Sequence, residues 1–229
     1  MSRYKYKKVY SLNTDIAYVV GLITSDGCLL NNNRHINFTS KDLELINIVQ
    51  KILNIDVKFS KKISYYGSQA YHLQFSNVAF YDFLLDIGLT TAKSRTIKPL
   101  FMPDEFYADF LRGYFDGDGT VYGFKDKRWN NSFMYYTEFV SASRVFLEWL
   151  QLNNGRLSNV GNGRIKMGRR AFVLSYAKSD SQKLFSFMYH AKNLPSLSRK
   201  RLKFIDFLES DPYADKNNGR VLELVDRPR

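Results

Sequence analysis

The sequence predicts an α+β fold with pseudo-twofold symmetry. One αββαββα unit occurs twice in tandem, with strands that suit a sheet in each half. Three observations carry this. The stretch YVVGLITSDGCL (18–29) matches FLRGYFDGDGTV (110–121) position for position. The segments that follow each stretch agree in kind and order. The strand candidates alternate apolar with polar residues, as sheets with one dry face require.

Each unit opens with a helix that ends in Asp-Gly, Asp26-Gly27 and Asp118-Gly119, 92 positions apart. Pro103 at N1 and Asp104 behind it suit the start of the second such helix. HINFTSKDLELINIVQKIL (35–53) then reads as a strand, a Ser40 N-cap and an amphipathic helix. Its counterpart TEFVSASRVFLEWLQL (137–152) takes Ser141 as cap. YHLQFSNVAFYDFLLDIG (71–88) and FVLSYAKSDSQKLFSFMYHA (172–191) each read as strand, then helix. LTTAKSRTIK (89–98) matches LPSLSRKRLK (194–203) across a one-residue gap. The halves are therefore drawn at 1–98 and 99–209, with a polar tail at 210–229.

Within the strands, Ile36 and Phe38 should face the core, as should Tyr71, Leu73, Phe75, Ile165 and Met167. That leaves Arg34, His35, Asn37, Thr39, His72, Gln74, Arg164 and Lys166 on the outer faces, with Arg169 and Arg170 just beyond. Such a hydrogen-bonding, cationic set is what contact with base edges and phosphates requires.

Charge agrees with that reading. The 229 residues carry a formal net charge of +12. Between Gly155 and Lys203 twelve basic residues meet one acid, Asp180, a surplus of 11. One-sidedness of this kind points to a polyanion. The basic residues lie in strands and loops rather than on one amphipathic helix, which disfavours a membrane surface, and no run of 18 apolar residues occurs. A single cysteine, Cys28, excludes a disulfide framework and a cysteine-based zinc site. With an opening MSRYKYKKVYS that lacks a signal-like apolar stretch, it points to an intracellular, reducing compartment.

The two Asp-Gly helices hold the chemistry. Glycine inside a helix costs about 1 kcal/mol against alanine, yet Gly21 and Gly113 hold the same place in both copies. Close approach of two helix backbones is the benefit that accounts for both. Packed so, the helices bring their C-terminal poles together, with Gly27 and Gly119 expected to supply left-handed terminating residues. Asp26 and Asp118 then suffer both the macrodipoles and each other. A hard divalent cation reverses that penalty. An EF-hand reading of DGDG fails because Val121 stands where the loop needs glycine. The phosphatase-like Asp-x-Asp-Gly-Thr at Asp116–Thr120 sits in mid-chain after a helix, and the first copy lacks its nucleophile.

VVGLITSDG (19–27) and LRGYFDGDG (111–119) resemble the paired signatures of single-chain LAGLIDADG homing endonucleases, and the resemblance spans about residues 12–208. Thr24 departs from the acid often found there, while Asp116 keeps it. The resemblance implies two antiparallel sheets forming a saddle on double-stranded DNA, with the signature helices at the central interface. It implies cleavage of both strands of a long asymmetric site by metal-assisted hydrolysis, leaving short 3′ overhangs. Asp26 and Asp118 would be the essential acids, with the carbonyls of Ser25 and Gly117 as further metal ligands. Mg²⁺ is the expected ion, and Mn²⁺ or Ca²⁺ could occupy the site. Lys93 and Lys200, then Lys41, are the candidate basic residues near the scissile phosphates, with Arg199 able to exchange with Lys200. The unequal halves imply a monomer with no obligate protein partner. A non-cleaving intron RNA maturase or DNA-binding regulator is the alternative.

Overall fold

The computed structural model describes residues 10–63, 67–127 and 132–210, without the side chains of Ser94 and Ser132. Residues 211–229, most of the expected polar tail, lie outside the described residues.

Two successive αββαββα units are present. The first comprises α1 (Thr14–Asp26), β1 (Gly27–Leu29), β2 (His35–Ser40), α2 (Leu43–Leu53), β3 (Ser60–Ile63), β4 (Gln69–Ser76) and α3 (Val78–Ile87). The second comprises α4 (Asp104–Asp118), β5 (Gly119–Asp126), β6 (Ser132–Ser141), α5 (Arg144–Ser158), β7 (Arg164–Met167), β8 (Phe172–Tyr176) and α6 (Lys178–Met188). The sheets run β1-β2-β4-β3 and β5-β6-β8-β7 and are antiparallel throughout. A 3-10 turn, Lys93–Arg95, follows the first unit and a full helix, α7 (Ser198–Glu209), follows the second. The segment match alone did not reveal α7, which buries Phe204, Ile205 and Leu208 at helical spacing.

The expected strand faces are present. Ile36 and Phe38 are buried, as are Leu73 and Phe75, while Asn37 sits opposite Gln74, and Thr39 opposite His72, on the outer face. Met167 is the exception at 65 % exposure, on the short edge strand β7.

Helices α1 and α4 are buried on every side because each faces the other and its own sheet. A Cβ on Gly21 would stand 2.2 Å from the Phe110 carbonyl oxygen, and one on Gly113 2.0 Å from that of Tyr18. Real Cβ atoms do not come so close to backbone, so the crossing requires both glycines.

The helix termini differ from expectation. Gly27 (φ −93°) and Gly119 (φ −84°) are extended, not left-handed. Each helix turns directly into a strand, and the demand is for space: a Cβ would lie 2.6 Å from the carbonyl oxygen of Ile23 or of Phe115. Ser40 and Ser141 end their strands instead of capping helices. Each Oγ accepts the N–H two residues on, at 3.1 Å, and the N-caps are Asp42 and Ser143. Of these, Ser143 accepts from the Phe146 N–H. Pro103 is likewise the N-cap rather than N1, its ψ of 146° lying outside the helical range.

Candidate active site at the crossing of the two central helices

Helices with no basic residue in their last turn leave their terminal carbonyls without a cationic partner from the helix itself. Here two lysines from distant segments supply it. Lys93, on the 3-10 turn, donates from Nζ to the Gly27 carbonyl at 2.7 Å. Lys200, on the first turn of α7, donates to four carbonyls at the end of α4: Phe115 (2.7 Å), Asp116 (2.8 Å), Gly117 (2.9 Å) and Gly119 (2.6 Å). Both lysines are buried, which pushes their ammonium groups toward neutrality, Lys200 down to about 8, against the pull of nearby aspartates.

Asp26 and Asp118 stand just outside these lysines. Burial, and then the charge of Asp118, raise Asp26 to about 6, with Lys200 and Lys93 pulling the other way. Burial raises Asp118 as well, with Lys93 and Lys200 opposing the rise, although it is the more open to solvent of the two. The helix ends touch at equivalent positions of the two motifs, Ser25 and Gly117. A Cβ on Gly117 would fall 1.8 Å from Ser25 Oγ and 3.1 Å from Asp26 Oδ2. Only one of the two can carry a side chain.

Depressions flank this crossing. One, about 420 Å³, is lined by Asp26, Asp118, Lys41, Asp42 and Arg199 among others. A smaller one, about 210 Å³, is lined by Asp118, Ser25 and Lys93. Asp118 reaches both.

Three neighbouring side chains complete the surroundings of the crossing. Lys41 is exposed and lines the larger depression together with Asp26 and Asp118. Arg199 does not exchange with Lys200: its guanidinium makes a bidentate pair with Asp42 at 2.7 and 2.8 Å, joining α7 to the first half. Asp116, two residues before Asp118 in the same motif, turns inward. It is fully buried, and its Oδ2 accepts from the Tyr18 hydroxyl at 2.7 Å and the Leu197 N–H at 2.8 Å. Burial raises it to about 6 while those two donors resist. Asp116 therefore anchors the segment that delivers Lys200. Beside it the buried Arg112 pairs with Asp109 at 2.7 Å and donates to the Met188 and Pro195 carbonyls. His190, just past the α6 end, lies 3.3 Å from Asp109. Apart from the Asp-x-Asp-Gly spelling, nothing in the sequence marked Tyr18, Asp42 or the carbonyl cradle, because each acts on partners far along the chain.

The outer sheet faces hold the remaining candidates. Arg34 donates to Ser76 at 2.9 Å and His35 contacts Asn32. His72 contacts Thr39 at 2.8 Å, and burial and Lys62 lower its pKa. Gln74, Arg164, Arg169 and Arg170 are exposed. Lys166 is held 3.3 Å from Glu138, so part of its charge is already neutralised.

Among the described residues, no three His, Cys, Asp or Glu groups gather as metal ligands. A divalent ion would rest on two carboxylates plus backbone oxygens. That all-oxygen set suits a hard cation, which would offset both the burial and the Asp118 charge that raise Asp26.

A duplicated unit with fused central helices and an acid at each helix end defines a two-motif architecture. The LAGLIDADG-like domain model matches residues 13–88 and again 105–185, so the chain belongs to the LAGLIDADG family. No curated protein matches it in sequence. Among solved structures, the LAGLIDADG meganuclease I-AabMI bound to uncleaved DNA is similar at TM-score 0.59 and 16 % identity, over 91 % of this chain and 92 % of that one. Meganuclease I-SmaMI bound to uncleaveable DNA follows at 0.57 and 14 %, over 93 % and 97 %. Full-length DUF199/WhiA from Thermatoga maritima reaches 0.55 and 16 %, over 94 % and 68 %. At such identities the likeness establishes the fold. Among the described residues no helix is long and apolar enough to cross a membrane.

Proposed function

We propose that the chain is a site-specific endonuclease that hydrolyses one phosphodiester in each strand of a long, asymmetric duplex, leaving short 3′ overhangs, and that it acts as a monomer. The observation that carries this is the meeting of Asp26 and Asp118 at two helix poles, each beside a buried lysine anchored to the helix end. The DNA-bound meganucleases of the same fold support the substrate.

Asp26, Asp118 and the carbonyls of Ser25 and Gly117 would hold Mg²⁺, with Mn²⁺ or Ca²⁺ suiting the same oxygens. The ion would supply a Lewis acid for the charge that develops on phosphate. Lys200 fixes the α4 end, and with it Gly117 and Asp118, by its four carbonyl contacts; Lys93 fixes Gly27 next to Asp26. Both ammonium groups offset the charge of an approaching phosphate. The exposed cations Arg164, Arg169, Arg170 and Arg34 bind backbone, while Asn37, His72, His35 and Gln74 meet base edges. Lys41, in the larger depression, contributes charge only.

A binding-only role, as a DNA regulator or RNA maturase, is the second reading. It is favoured by the surplus of basic residues between Gly155 and Lys203, which binds nucleic acid with or without cleavage. Incubation with Mg²⁺ and a plasmid library of candidate sites separates the two. Specific linearisation lost in Asp26→Asn or Asp118→Asn supports hydrolysis. Metal-independent DNA binding without cleavage, or preference for structured RNA, overturns it.

A further inference from the structure

The two sheets offer unlike outer faces. That of β1-β2-β4-β3 is made of hydrogen-bonding groups: Asn37 beside Gln74, Thr39 beside His72. That of β5-β6-β8-β7 carries an aromatic strip along β5 and β6, with Arg164, Lys166 and Ser175 beside it on β7 and β8. Tyr122 lies opposite Tyr136 and Phe124 opposite Met134, with Phe124 43 % exposed. Tyr136 stacks on Tyr122 (centroids 5.6 Å, planes 18° apart) and on Phe124 (6.1 Å, 7°). The polar group among them, Glu138, is occupied by the Tyr122 hydroxyl at 3.2 Å and by Lys166. A monomer has no structural use for an open aromatic ladder on the face away from its core.

We infer that this ladder reads thymine methyl groups in the major groove, so the half-site under the second sheet is rich in A·T pairs. The inference rests on the duplex-DNA reading above and adds the substrate chemistry of one half-site. Apolar contact with the C5-methyl is how such side chains distinguish thymine. Stacking of unpaired bases fits less well. A base between two rings needs about 6.8 Å, twice the base-stacking rise of about 3.4 Å, and the rings are closer than that. Charge is complementary, since Arg164, across the sheet, and Arg169 and Arg170 in the following turn supply phosphate contacts. Position follows from the chain itself. Strand β5 starts right after Asp118, so Tyr122 and Phe124 lie four and six residues out. At about 3.4 Å per residue and per base pair, they meet positions about four to six pairs from the cleavage centre.

The test is selection of duplexes bound by the full chain in EDTA, then gel-shift titration with each selected thymine replaced by deoxyuridine, which lacks only the methyl. Thymines should be enriched at those positions on one side. Each replacement there should weaken binding about fourfold per buried methyl, and replacement in the other half less than twofold. A Phe124→Ser/Tyr136→Ser variant should still bind and lose the discrimination. Equal binding of the uracil and thymine duplexes, or tighter binding of single strands through the ladder, would overturn the inference while leaving the nuclease reading intact. Selection of no duplex at all would overturn both.

Discussion

Replacing Asp26 by asparagine should make the metal-free protein more stable at pH 8 while abolishing cleavage. The folded-state pKa of Asp26, about 6, lies above its ordinary 3.8. The fold thus binds this proton more tightly than the unfolded chain does. The resulting stabilisation is fully present below about pH 4 and is lost as pH rises through about 6. At pH 8 the ionised carboxylate is held against a penalty of about 3 kcal/mol, at about 1.4 kcal/mol per pH unit. Its partly exposed setting reduces this by screening, to about 1–3 kcal/mol. An amide of the same shape escapes it. For a chain of this size, melting should rise by about 2–10 °C. Thermal melts in EDTA at pH 8 and pH 4.5 check this, since at the lower pH the native carboxyl is largely protonated and the gain should shrink. Saturating Mg²⁺ should reverse the order by stabilising the native chain alone. A variant less stable than the native chain at pH 8, or a gain undiminished at pH 4.5, would refute the reasoning.

Further outcomes follow from the same structure. Lys200→Met takes the ammonium from four terminal carbonyls, of which that of Phe115 keeps the Gly119 N–H, and should cost about 2–4 kcal/mol in urea denaturation, more than Lys93→Met, which takes it from one. Gly113→Ala should cost about 3 kcal/mol or more because its Cβ meets the Tyr18 carbonyl. Gly155→Ala, with only a 3.6 Å contact in α5, should stabilise by about 0.5–1 kcal/mol in the same assay. DNA affinity should fall by about a thousandfold or more between 50 and 200 mM salt, as with about six or more phosphate contacts; a shallow slope in a filter-binding titration would argue against an extended duplex footprint.

The fold was legible because duplication wrote it twice. Gly21 and Gly113 at one offset, with Asp26 and Asp118 at the same offset, cannot both be accidents of a helix face, and strand alternation oriented each sheet. Local geometry was less legible. Ser40 and Ser141 have the chemistry of caps, and Gly27 and Gly119 that of left-handed termini. Their actual roles depend on a strand edge and on a carbonyl packed behind them.

What the sequence by itself determined is the architecture and the placing of one acid at the end of each central helix, since both rest on repeated local patterns of hydrophobicity and glycine. Only the tertiary structure decided what each neighbouring polar group does. It separated Asp116, sealed against Tyr18 and Leu197, from Asp118, open to solvent, though the two share one motif. It also sent Lys200 to the α4 carbonyls and its neighbour Arg199 to Asp42. The physical reason is that periodicity specifies which way a side chain points. The partner it meets, and so its charge state, is set by chain segments brought together from more than eighty residues away.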